Sequence, residues 1–258
     1  MLFAAVSMVN AVAQDAPALV TINVEEFEYK PTKTGMALSL LASVSDPKDL
    51  WLPDKSMTPQ MNEAIAAGVY NIPWVTKGDA ESADYKLVGR ITKAELSTGN
   101  PEHVSVGTRA TLIDNKTGKE VAFKFVSGLS ITLYEIDNST SLKTFAAKDL
   151  ARNMRRFIFE AIPVTGHILQ KGVEQVNGKI KDKQCYVDLG EIHGIQKDMV
   201  LYVTEDGKYK AELRILDIMG DDLCTCKISK GDSYIEKGLE KGVDMIVTSR
   251  PKKIESGL

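Results

Sequence analysis

The stretch QCYVDLGEIH, residues 184–193, places a thiol, two carboxylates and an imidazole within ten positions: Cys185, Asp188, Glu191 and His193. A thiolate nucleophile needs a base within hydrogen-bond reach and a third group to orient that base. These residue types could supply all three. Cys185 and His193 could also join Cys224 and Cys226 as the soft donors of a metal site. Local spacing favours neither. If residues 184–189 form a strand, Cys185, Val187 and Leu189 share the face that enters a core. Tyr186 and Asp188 then point away from it. Gly190 and Gly194 frame a turn, which leaves His193 in solvent. Cys224 and Cys226 lie on one face of another strand and are poorly placed to bridge each other. They read as buried free thiols, with a bridge from Cys185 to one of them as the alternative. The four donors match no strong zinc spacing.

Other chemistry-bearing patterns are equally thin. The three histidines are dispersed, with His103 in a connecting turn and His167 opening the C-terminal region. There is no phosphate-binding glycine loop, no nucleophile elbow and no histidine pair at metal-binding helical spacing. The paired carboxylates Glu25/Glu26 and Asp221/Asp222 are strand neighbours, so the two members of each pair face opposite ways. The sequence thus predicts no catalytic residue, no metal and no small-molecule cofactor, and the chain is not expected to be an enzyme.

The elements around these residues divide the chain in two. At 258 residues it can hold two cores, and 43% apolar with 26% charged residues is ordinary for a globular protein. The net charge of −3 leaves no basic half, so nucleic acid is not an expected partner. The start, MLFAAVSMVNAVAQ, is a short apolar run ending in Ala11-Val12-Ala13, the small-residue pattern that signal peptidase accepts. It is too short to span a bilayer. Residues 1–16 are therefore expected to be a leader, possessed of an export signal and lacking a lipid-bearing cysteine. The mature chain is expected in the periplasm or the medium and not across the membrane.

Residues 17–163 read as a sheet with covering helices. Residues 18–29 alternate as a strand, and an apolar patch follows at 36–44. Thr58 and Pro59 open a helix that Gly68 is expected to end. Residues 69–75 read as a strand held at an edge by Pro73. Residues 84–97 form a long strand with Tyr85, Leu87, Gly89, Ile91 and Lys93 on one face. Residues 103–114 and 121–135 form a hairpin through the Asn115 and Gly118 turn. Residues 139–162 form an amphipathic helix. Leu142, Phe145, Ala146, Leu150, Met154, Phe157 and Ile158 are its apolar stripe, and Lys148, Arg152, Arg155 and Arg156 its other face. After Pro163 the texture changes to short strands and tight turns at Asn177-Gly178, Asp206-Gly207 and Gly220-Asp221. Residues 164–250 thus read as a small all-β, barrel-like domain, and 251–258 as a tail. The fold class is α+β, a mixed sheet with covering helices followed by a small barrel.

Residues 82–121 resemble the CsgG-like family, which includes the curli secretion pore and lipoprotein activators of penicillin-binding proteins. The resemblance rests on Ala83, Asp84, Tyr85, Gly89 and Ile91, then Asp114, Thr117 and Gly118, then the helix at 140–162. It implies a mixed sheet covered by helices. The region after Gly166 is similar to the C-terminal barrel of the flagellar assembly protein FlgT, through GKI and CYVDLGEIHGIQKDMVLYV. There Lys197-Asp198 stands where a glycine is usual. The absent lipidation cysteine and the lack of a long amphipathic strand pair exclude carrying over curli-type secretion. The resemblance implies an exported, non-enzymatic, assembly-linked protein whose partner is another envelope protein or a second copy.

Candidate contact residues are Trp74, by the edge at Pro73, and Arg152, Arg155 and Arg156 on the helix. The alternative is a carbohydrate- or peptidoglycan-binding module, with Trp51, Tyr70, Trp74 and Tyr134 as a stacking platform.

Overall fold

The computed structural model describes residues 17–31, 51–97, 103–131, 139–175, 177–206 and 208–250. The expected leader, the apolar patch at 36–44, Tyr134 and the tail lie outside the described residues. The chain divides into a unit of Leu19–Ala161 and a unit that includes everything from Ile162 onward.

The first unit is built on a mixed sheet. Its strands are β1 (Val20–Val24), β2 (Glu28–Tyr29), β3 (Trp51–Pro53), β4 (Val75–Lys77), β5 (Tyr85–Ser97), β6 (His103–Asp114) and β7 (Glu120–Ile131). The order is β4-β1-β5-β6-β7. One side of the long β5 takes β1 and β2 in parallel and then β3 antiparallel. The other side takes β6 antiparallel, and β6 pairs with β7. Helix α1 (Thr58–Tyr70) packs on helix α2 (Ser139–Ala161), and α2 lies on β6 and β7. Ile22, Leu87, Ile91, Ala110 and Leu112 from the sheet meet Met61, Ile65, Leu150, Met154 and Phe157 in the core.

Three glycines set how closely these layers approach. A Cβ on Gly68 would stand 2.5 Å from the Ala151 carbonyl of α2, and one on Gly128 of β7 would stand 2.2 Å from the Ala146 carbonyl. Helix α2 is therefore in backbone contact with α1 on one side and β7 on the other. Gly89 of β5 gives its space to the Phe27 ring, 2.3 Å from where a Cβ would be. Gly68 thus does not end α1, as expected, but lies inside it because the helix crossing needs a missing side chain. The helix runs on to Tyr70, and residues 71–74 are a turn rather than a strand. Thr58 does not cap α1 either: its hydroxyl donates to the Lys55 carbonyl, and Met57 holds the cap position.

Two further expectations are corrected. The buried alternation on β5 runs through Leu87 and Ile91 but resumes at Ala94, because a bulge at Thr92 inverts the pattern. Lys93 therefore leaves the face it was assigned to. On α2 the stripe is buried except for Phe145, which is 49% exposed.

Asp84 ties the start of β5 to β1. Its carboxylate accepts the Thr21 N–H at 3.1 Å and the Thr21 hydroxyl at 2.8 Å, and it pairs with Lys116 Nζ at 3.1 Å. The Thr21 hydroxyl in turn accepts the Asp84 N–H at 2.8 Å. The amide donated by Thr21, then its hydroxyl, then Lys116, hold the carboxyl down at about 2. Next to it, Asn115 donates to the carbonyls of Ala80, Glu81 and Ala83.

The second unit contains β8 (Thr165–Glu174), β9 (Ile180–Val187), β10 (Val200–Glu205), β11 (Lys208–Ile218), β12 (Cys224–Lys230) and β13 (Ile246–Thr248). They close into a barrel in the order β10-β11-β12-β9-β8-β13. The interior is filled by Cys185, Val187, Leu201, Val203, Leu213, Ile215, Cys226 and Val247. The unit is not purely β, since helix α3 (Asp232–Glu240) lies between β12 and β13. Ile235 is its single fully buried anchor, too weak a periodic signal to show in the sequence. Asp198 adopts φ 66°, the left-handed conformation that glycine takes most readily.

Two measurements check these constraints. Gly128→Ala should lower the urea unfolding free energy by about 3 kcal/mol, because backbone atoms of α2 cannot move aside cheaply. Gly107→Ala, whose Cβ would be 3.3 Å from the Lys93 Cβ, should cost much less. For Asp84, the folded carboxyl titrates below the unfolded value of about 3.9, so its contribution is present above pH 4 and is lost as pH falls toward 2. Asp84→Asn should flatten the fall in stability across that window, with a modest amplitude because the side chain is 36% exposed.

Candidate functional site

The residues that opened the sequence analysis sit at the end of the barrel, and they serve its architecture. Cys185 on β9 pairs across the ladder with Cys226 on β12, and both are fully buried. Cys224 is buried too, with its sulfur 3.7 Å from that of Cys226. All three are free thiols. Burial, with Cys224 and Asp232 adding, pushes the Cys185 thiol up to about 12. The hydrogen bond with Cys224 and then burial raise Cys226 well above the ordinary range. A thiol in this state is a poor nucleophile at neutral pH. Among the described residues, no three His, Cys, Asp or Glu side chains are grouped to hold a metal ion.

Two residues lie where the sequence did not put them. His193 is 1% exposed rather than in solvent. The turn Glu191–His193 folds back so that His193 Nδ1 accepts the Gly190 N–H at 3.0 Å. That nitrogen cannot then act as a base, and burial lowers the pKa of the ring. The turn is pressed against residues 220–221, with Glu191 and Ile192 donating to the carbonyls of Gly220 and Asp221. A Cβ on Gly190 would lie 2.3 Å from the Gly220 carbonyl. Asp188 is buried as well, because it serves His167 at the start of β8. It accepts the His167 backbone N–H and pairs with His167 Nδ1 at 3.0 Å. His167 Nε2 reaches Asp244 at 3.6 Å, so one imidazole joins the segments before β13, after β9 and within β8. This carboxylate–imidazole–carboxylate array was not legible in the sequence, since its members are 21 and 56 or more positions apart.

The expected contact residues divide. Trp74 is 2% exposed and meets Phe159 edge to face at 5.5 Å, so it is core. The Arg155 guanidinium sits 5.9 Å from the Phe159 ring, and burial lowers its pKa. Neither forms an open docking face. Arg152 and Arg156 are exposed, and Arg152 pairs with Asp149 at 3.3 Å. The stacking platform is likewise not assembled among the described residues. The Tyr70 hydroxyl is tied to β1, accepting the Val24 N–H and donating to the Ile22 carbonyl. Trp51 has the Lys93 ammonium 4.8 Å above its ring.

The surface most unlike an ordinary one is on β7. Val121, Phe123, Phe125 and Leu129 are all exposed, Phe125 by 63%. They alternate with Ala122, Val126 and Gly128, the residues on the side covered by α2. Phe123 and Phe125 touch edge to face at 5.4 Å, and the Arg109 guanidinium of β6 lies 4.6 and 5.8 Å from the two rings. β7 is also the last strand of the sheet. On its free edge, the Leu129 N–H donates to Asp149 and the Ser127 carbonyl accepts from Asn153, both on α2. Contiguous apolar side chains on an otherwise polar surface are what interaction sites present.

The buried thiols make a direct prediction. A thiol reagent should leave the native protein unmodified over minutes and label three cysteines once denaturant is added. Rapid labelling of any one of them in the native state would show that the barrel interior is open.

No family model matches the sequence, and no curated protein matches it. Among solved structures, the chain is similar to a hypothetical protein of Chlamydia trachomatis, at TM-score 0.36 and 10% identity, over 56% of this chain and 94% of that one. It is similar to a PelC dodecamer from Paraburkholderia phytofirmans at TM-score 0.32 and 17% identity, over 55% and 93%. A protein of Xanthomonas campestris gives 0.33 and 9%, over 58% and 89%. These likenesses span little more than half of the chain, and TM-scores of this size carry no argument about its function.

Proposed function

We propose that this chain is an exported bacterial envelope protein, periplasmic or secreted, that works by binding other protein rather than by catalysis. The carrying observation is the exposed stripe Val121, Phe123, Phe125 and Leu129 beside Arg109. Aromatic residues and arginine are the types enriched where proteins meet. Buried thiols and a buried imidazole with one nitrogen occupied support the non-catalytic part of the reading. The Ala11-Val12-Ala13 pattern and the resemblance to CsgG-like and FlgT-like proteins support the envelope assignment. Among the described residues, no helix is long and apolar enough to cross a membrane.

The test uses the chain expressed with its own N-terminus in a bacterial host. Fractionation should find it outside the cytoplasm, cut near Gln14. A photo-crosslinker at Thr111, beside Phe123 in the ladder, should give a discrete protein adduct in the envelope. Phe125→Asp should abolish that adduct while the circular dichroism spectrum is retained. A cytoplasmic chain, or an adduct that survives the substitution, would overturn the reading.

A further inference from the structure

Among the described residues, the sheet leaves part of one edge open and closes the rest. The Ser127 carbonyl and Leu129 N–H bond to α2 side chains rather than to β6, so both point off the free edge. In an antiparallel ladder, backbone groups alternate between the two sides residue by residue. The backbone groups of Phe125 and Phe123 therefore point off the same edge, beyond the reach of the Asn153 and Asp149 plug. Their side chains are exposed on the face away from α2. An open edge with apolar side chains on one face is a template for another strand.

We propose that the occupant is the same segment of a second copy, β7 to β7, antiparallel about a two-fold axis at Phe123. This deepens the protein-binding reading above and rests on it. A two-fold contact requires the segment to complement itself, and residues 121–125 do. With Phe123 facing its counterpart, Phe125 comes over the Val121 end of the second copy, where a bulge between Glu120 and Ala122 ends the regular ladder, so apolar meets apolar on the exposed face. On the other face Lys124 meets Ala122 and not another lysine, and its charge is already matched by Glu160 at 2.7 Å. The register with Lys124 facing Lys124 would set like charges directly opposite, which is unfavourable. The two Arg109 residues would be three strand spacings apart, about 14 Å, beyond the screening length of about 8 Å at physiological salt. The plug at Ser127 and Leu129 limits the pairing to this short segment and stops the strand from recruiting further partners along its length.

The experiment uses the full chain. Sedimentation velocity should show a concentration-dependent dimer, and Phe125→Asp should raise its dissociation constant roughly 100-fold or more. Circular dichroism and the urea midpoint check that this variant folds. Independently of that variant, Phe123→Cys under mild oxidation should form a covalent dimer, because directly opposed strand residues lie within disulfide reach. Leu129→Cys, in the plugged half, should not. The three native thiols are buried and do not compete. A chain that stays monomeric with no Phe123→Cys dimer overturns the inference. So does a dimer indifferent to Phe125→Asp. If the chain is monomeric yet the envelope adduct at Thr111 is still lost with Phe125→Asp, the second copy is wrong and the protein-binding reading stands.

Discussion

Helix α2 can lie where it does only because two neighbours give up their side chains to it. Gly68 of α1 and Gly128 of β7 let backbone meet backbone on opposite sides of the helix. Packing at that distance cannot relax, since the atoms that would have to move belong to a helix already hydrogen-bonded to itself. Much else in the first unit follows from it. α2 reaches the sheet edge closely enough for Asp149 and Asn153 to bond the backbone of β7, and for Glu160 to meet Lys124. One seated helix thus fixes the core, shields part of an edge and leaves the opposite face of β7 bare.

The long elements were readable because their periodicity is intrinsic. Thirteen residues of β5, the hairpin of β6 and β7, and the twenty-three residues of α2 follow two-fold and 3.6-fold repeats. The errors fall where tertiary contact overrides local signals. Gly68 looks like a terminator by residue type, but a neighbouring helix determines its role. The Thr92 bulge inverts the buried pattern of β5, which no local propensity announces. Helix α3 has one buried anchor and a glycine inside it, so periodicity could not reveal it. Asp198 adopts a left-handed conformation, which aspartate tolerates better than most residues.

The same logic explains why the exposed stripe escaped detection. In VAFKFVSGL the aromatics alternate with a lysine, and the structure sets Phe123 and Phe125 on the exposed face and Lys124 on the side of α2. A helix in backbone contact wants alanine, valine and glycine beneath it, not phenylalanine, and Lys124 can stay near that side because Glu160 neutralises it. The bulky rings are left on the face without a helix. In the barrel, strand alternation turns Asp188 away from the core and the glycine-framed turn puts His193 in solvent, yet each is buried because a hydrogen bond from a distant or folded-back backbone group satisfies it.

Several polar side chains enter the interior where a backbone donor is already waiting, as Gly190 waits for His193, His167 for Asp188 and Val104 for Ser130. Such groups are held in one geometry, which suits a scaffold. Single apolar side chains are exposed elsewhere, but along β7 four of them, Val121, Phe123, Phe125 and Leu129, lie on one strand on the face that α2 does not cover. Nothing in the packing of the sheet requires two adjacent phenylalanines to stand exposed beside an arginine. Their exposure is therefore better explained by what comes to lie on them than by anything the isolated fold requires.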